Sequence, residues 1–134
     1  MNTYILLKAL AVWLLIILAE TLHGILRGLL LVPLTGDLAA RQIGVVIGSL
    51  IIFAVSYFTI DRIGTTNWQQ RLFIGFGWVI LTVLFELFLG KVLLGLDWDR
   101  ILSDYDIGRG GFMLFGLLFM AASPSIAYML RDRT

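Results

Sequence analysis

Cysteine is absent from this chain. Its absence excludes disulfides, thiol–disulfide exchange, iron–sulfur clusters and thiolate metal sites. Histidine occurs once, as His23, so bis-histidine haem ligation within one chain is excluded too. Charge is also scarce: 14% of residues are charged, against about 25% in an ordinary soluble domain. The formal net charge is +1 and no basic patch is visible, so nucleic acid is not an expected partner. What fills the chain instead is hydrocarbon. Sixty per cent of its residues are hydrophobic, and the mean hydropathy is +0.97. Such a chain stays dispersed only if most of its surface faces lipid, which makes it an integral membrane protein with membrane lipid as its first partner.

Gaps between charges locate the spans. Gln42 to Ile60 and Gly110 to Leu130 run without a charge, and each is long enough to cross about 30 Å of hydrocarbon. Two further spans carry charges: one contains Glu20, the other Glu86 and Lys91. The expected architecture is all-α, an integral membrane four-helix bundle. It forms one membrane domain over residues 1–134, with spans at about 4–27, 41–61, 71–95 and 109–131. Lys8 precedes an apolar run, as in a secretory signal. However, Ile17-Leu18-Ala19-Glu20 offers no small-x-small cleavage site, so the first segment reads as a retained span.

Four spans put both termini on one side of the membrane. Lys8, Arg62, Arg71, Arg131 and Arg133 fall on that side; Arg27, Arg41, Lys91, Arg100 and Arg109 fall on the other. Discounting Arg27 and Lys91 as membrane-embedded tips the balance towards cytoplasmic termini in a bacterial-type cytoplasmic membrane.

Between spans three and four, Trp98, Ile101, Leu102 and Tyr105 stand at helical spacing among aspartates and Arg100. This pattern predicts a short interfacial amphipathic helix at about 98–107, with Asp97 as N-cap and Gly108 as stop. Its aspartates lack the alternation and the turn glycine of an EF-hand loop and read as a solvated face. Pro33 is expected beyond the first helix, with Thr35 or Asp37 capping the second. Pro124 is expected to kink the fourth span, where Ser123, Ser125 or a neighbouring helix could satisfy the freed carbonyl.

The chemistry gathers on the first span, where Glu20, His23, Gly24 and Arg27 share one helix face at i, i+3, i+4 and i+7. Ile16, Ile17 and Trp13 continue that stripe backwards. On span three the stripe is Val79, Thr82, Val83, Glu86, Leu89 and Gly90. An ionised carboxylate facing lipid costs about 3 kcal/mol or more, so both glutamates should point inward. Counted from Lys8 and Arg71, they lie at similar depths, about 18 and 22 Å along parallel helices. Inward, a glutamate must keep its proton or pair with a cation. His23, Arg27, Arg41 and Arg109 are the candidate cations, while Lys91 is expected to snorkel to the interface.

Superposing Glu20 on Glu86 places Gly24 on Gly90, and superposing Arg41 on Arg109 places Gly48 on Gly116. These anchors raise a tandem duplication of a two-helix hairpin, an architecture known among membrane proteins. Gly44 and Gly48 form a small-xxx-small motif, which suits a tight helix crossing within the chain or, as the second choice, in a dimer. Glu20 and His23 also form a Glu-x-x-His pair, of which di-iron bundles use two. The motif is short and Arg27 beside it would repel a metal, so neither metal nor cofactor is expected.

The size, the four spans and a glutamate in the first helix are similar to those of small multidrug-resistance exporters. Glu86 and the long acidic connection depart from that pattern, and no motif assigns the chain to that family. The function expected is binding or transport of a small polar or cationic solute. Glu20 and Glu86 would bind ligand or proton, His23 would tune their protonation, and Arg27, Arg41 and Arg109 would act as counter-ions. The competing reading is a non-catalytic membrane subunit or assembly factor, its charges holding a homo-oligomer or a larger membrane complex together. A metal- or lipid-dependent membrane enzyme ranks last, since no nucleophile–base pair or strong metal motif is present.

Overall fold

The computed structural model describes residues 2–132, and every element in it is helical. Four helices are long and apolar enough to cross a membrane: α1 (Thr3–Thr35), α2 (Asp37–Ile63), α3 (Trp68–Leu93) and α5 (Met113–Asp132). A short helix, α4 (Trp98–Ser103), lies in the connection between α3 and α5. The protein is an integral membrane four-helix bundle. Large apolar side chains such as Leu14, Leu18, Leu50, Phe58, Phe76, Ile80, Leu84 and Leu118 point outward, a surface suited to hydrocarbon.

Side chains start three of the helices. Asn2, Asn67 and Asp97 each accept a hydrogen bond from a backbone N–H three residues on, at 3.0, 2.9 and 2.9 Å. These bonds relieve donors that have no partner inside the helix. Asp97 therefore caps α4 as expected. The helix is shorter than expected, however, ending at Ser103. Gly108 does not stop it and instead sits in a separate 3₁₀ turn, Ile107–Arg109.

The first connection departs from expectation. Pro33 lies inside α1, which continues to Thr35. The turn before it, Arg27–Leu31, is a π-helix in which the Val32 N–H bonds the Arg27 carbonyl. A proline in a regular α-helix clashes with the carbonyl four residues back. The wider π turn moves that carbonyl aside, so the chain can stay helical. Gly36 then breaks the helix with φ of 87°, a conformation open to glycine and strained for other residues. Neither Thr35 nor Asp37 caps α2 through its side chain. Thr35 bonds back to the Leu31 carbonyl at 3.0 Å, and Asp37 occupies the first turn, where a negative charge suits the helix dipole.

The spans pack as a ring in which α1 meets α2, α2 meets α5, α5 meets α3 and α3 returns to α1. At the α3–α5 crossing the backbones touch. A Cβ on Gly75 would stand 2.0 Å from the Ala121 carbonyl oxygen, so only glycine permits the approach. The half of the bundle nearer the termini is solid, built on Ile5, Val12, Trp13, Ile16, Ile60, Ile63, Ile74 and Trp78. Its polar groups are paired. The Trp78 indole donates to the Ala9 carbonyl at 3.0 Å. Ser123 donates to Ser56 at 3.0 Å while α5 runs unbroken through Pro124. Arg71 lies 3.6 Å from the Tyr128 ring centroid.

Candidate functional site

The far half of the bundle is hollow. A cavity of about 490 Å³ lies between all four spans, lined by Glu20, His23 and Arg27 of α1, Arg41, Gly44 and Gly48 of α2 and Glu86 of α3. Five of the six charged or titratable residues singled out from the sequence thus meet around one space. Ile17, Ile52, Thr82 and Met120 line its end towards the solid core. There the Trp13 indole donates to the Thr82 hydroxyl at 3.0 Å, and that hydroxyl donates to the Met120 sulfur at 3.3 Å. Trp13 also meets Phe85 edge to face, tying α1 to α3 below the cavity.

The helical stripe on α1 finds its counterpart in the glycines of α2. A Cβ on Gly48 would stand 2.8 Å from a Glu20 carboxylate oxygen. One on Gly44 would stand 3.0 Å from Arg27 Cδ and 3.6 Å from His23 Cε1. The small-xxx-small motif is a crossing within the chain, as expected, and its groove holds polar side chains. Gly44 and Gly48 are separated by about 6 Å of helix rise, so the guanidinium and the carboxylate lie at different depths along the cavity wall.

These charges are not neutralised by contact. Glu20 Oε2 is 3.8 Å from His23 Nδ1, an ion pair only when the imidazole carries a proton. Glu20 Oε1 is buried and accepts no hydrogen bond from the described residues. Among those residues Glu86 and Arg27 make no ion pair.

Where the cavity reaches α4, four charges alternate in a closed ring. Arg41 Nε lies 3.0 Å from Asp37, and Arg41 Nη1 contacts Asp104. Arg100 closes the circle, 3.2 Å from Asp104 and 3.6 Å from Asp37. Arg41 is therefore engaged at the rim, away from the glutamates. From the sequence, Arg100 and Asp104 read as part of a solvated helix face and Asp37 as a helix cap. Their i, i+4 spacings, Asp37 to Arg41 and Arg100 to Asp104, carry a signal for pairs within each helix. No spacing rule links the two pairs across 63 residues.

Arg109 is elsewhere. Its guanidinium grips Asp99 with two bonds of 3.0 and 3.1 Å on the exposed face of the connection. The hydrogen bond and then the charge of Arg109 hold the Asp99 carboxyl below the usual aspartate range, and the same bond raises Arg109. Tyr105 is pushed up to about 12 by burial, then by the charges of Glu86 and Asp104. Lys91 is exposed, its ammonium 5.3 Å from the Trp98 ring centroid, a placement suited to the interface.

The paired anchors of the two halves have different surroundings. Gly48 receives Glu20, whereas a Cβ on Gly116 would meet only Val45 at 3.4 Å. Arg41 joins the ring while Arg109 faces outward. Among the described residues no three His, Asp or Glu side chains gather in a metal-binding arrangement. No family model, curated protein or solved structure matches the chain.

Proposed function

We propose that the protein binds a small polar or cationic solute in this cavity as part of its transport across the membrane. One observation carries the reading: Glu20 and Glu86, from parallel helices, line the same cavity, and among the described residues neither makes an ion pair with an arginine. A carboxylate sheltered from water and lacking a cation is costly, and a cationic solute or a proton relieves that cost. The Trp13–Thr82–Met120 chain closes the cavity at its terminal-side end, an arrangement that fits one state of an alternating-access cycle. The placement that goes with this reading is a bacterial-type cytoplasmic membrane with both termini in the cytoplasm, following the Lys and Arg residues of the terminal side.

The alternative, a membrane subunit locked into a larger assembly by its charges, draws less support. Arg41 and Arg109, the cations best placed to reach a partner, are spent within the chain on Asp37, Asp104 and Asp99.

The test is substitution of both glutamates. Glu20→Gln and Glu86→Gln, singly and together, leave helical content intact and weaken binding of a small amine such as ethanolamine by about tenfold or more each. Calorimetry on protein in lipid nanodiscs reads the effect. Unchanged amine binding in the double variant rejects the proposal.

A further inference from the structure

The cavity contains opposite charges that do not meet. Arg27 rests over Gly44, Glu20 rests over Gly48, and Glu86 faces the same space from α3. Neither Arg27 nor Glu86 has an ion-pair partner among the described residues, and Glu20 has only the distant His23. Side chains this long would close on one another if their anchor points allowed. The glycine groove instead holds the guanidinium and the Glu20 carboxylate apart, on neighbouring turns. Leaving such groups unpaired in a sheltered site is expensive.

Each simple ion answers half of this arrangement. A monocation pairs with the glutamates and leaves Arg27 bare, whereas a monoanion pairs with Arg27 and leaves the carboxylates bare. We propose that the solute is a zwitterion, its ammonium held by Glu20 and Glu86 and its phosphate or carboxylate by Arg27. This assignment deepens the proposed function and rests on the same cavity. A guanidinium suits such an anion because its planar fork can donate two parallel hydrogen bonds. The separation of about 6 Å between the anchoring glycines matches an ammonium and an anion joined by a short carbon linker. Phe85, Val45, Leu117 and Met120 supply apolar wall for hydrocarbon attached to that linker. Phosphoethanolamine has this chemistry, either as a free solute or as the headgroup of a phospholipid.

Calorimetric titration of the protein in phosphatidylglycerol nanodiscs, with phosphoethanolamine, ethanolamine and inorganic phosphate as probes, tests the assignment. Phosphoethanolamine is expected to bind about tenfold more tightly than either half-probe. Arg27→Gln should bring phosphoethanolamine down to the affinity of ethanolamine while leaving ethanolamine within twofold. Arg27→Lys, which keeps the charge and loses the fork, should fall between, and near-ultraviolet circular dichroism checks that each variant is folded. If ethanolamine binds as tightly as phosphoethanolamine and Arg27→Gln alters neither, the zwitterion is wrong and the glutamate cavity stands as a cation site. If none of the three probes binds, the zwitterion and the cation site both fall. Native mass spectrometry separates the sources. Retained phosphatidylethanolamine that Arg27→Gln releases points to the lipid, whereas a lipid-free protein that binds the soluble probe points to the free solute.

Discussion

Single residues differ sharply in how much they constrain this protein. Gly48 faces the mobile end of Glu20, so a methyl group there displaces a side chain. Gly75 faces the carbonyl of Ala121, so a methyl group there must move backbone. Gly48→Ala is accordingly expected to fold with near-native stability and to disturb solute binding. Gly75→Ala is expected to destabilise the bundle by about 1–3 kcal/mol, the usual cost of overpacking. Thermal unfolding in mild detergent distinguishes them: equal shifts in Tm would contradict the contacts described. The Asp99–Arg109 pair makes a second prediction at this scale. Because the Asp99 carboxyl sits below its ordinary range, the pair's contribution is complete above the unfolded aspartate pKa and is lost as pH falls through the folded one. A carboxyl NMR titration should find Asp99 titrating below its ordinary range, and Arg109→Gln should return it there.

Among the elements, α4 is held at the rim by few contacts. Ile101 is its one large buried apolar side chain and lies against Gly90, where a Cβ would stand 3.2 Å away. Arg100 and Asp104 add ion pairs to Asp37 and Arg41 of α2. Asp104→Asn removes one of the two carboxylates that both arginines contact. Hydrogen exchange across residues 98–109 is then expected to rise about tenfold or more, with the solid half of the bundle unaffected. Exchange at the wild-type rate would mean that the ring does not fasten α4.

The sequence made the four spans legible because hydrophobic runs report lipid directly. The inward stripe of α1 was legible because Glu20, His23 and Arg27 repeat at the period of the helix. Three things were not. Pro33 inside α1 depends on a π turn that no residue pattern announces. The partner of Arg41 depends on how a distant connection folds back, and the pairing of Arg109 with Asp99 depends on the fold of that connection itself.

Taken whole, the molecule is solid at one end and hollow at the other. Fusing a reporter to each terminus and to the α4 connection tests the side assignment: active cytoplasmic reporters at both termini and an inactive one at the connection are expected. The spanning helices also differ in length. With 33 residues, α1 rises about 50 Å, while α5, with 20 residues, rises about 30 Å. Leu29, Leu30 and Leu34 stay exposed on the last turns of the long helix, so α1 favours a thicker membrane than α5 does. A bilayer around this protein must thicken on one flank relative to the other, or α1 must lean. Changing acyl-chain length should therefore tilt α1 against α5 and alter the width of the hollow end, making the cavity responsive to the thickness of the lipid around it.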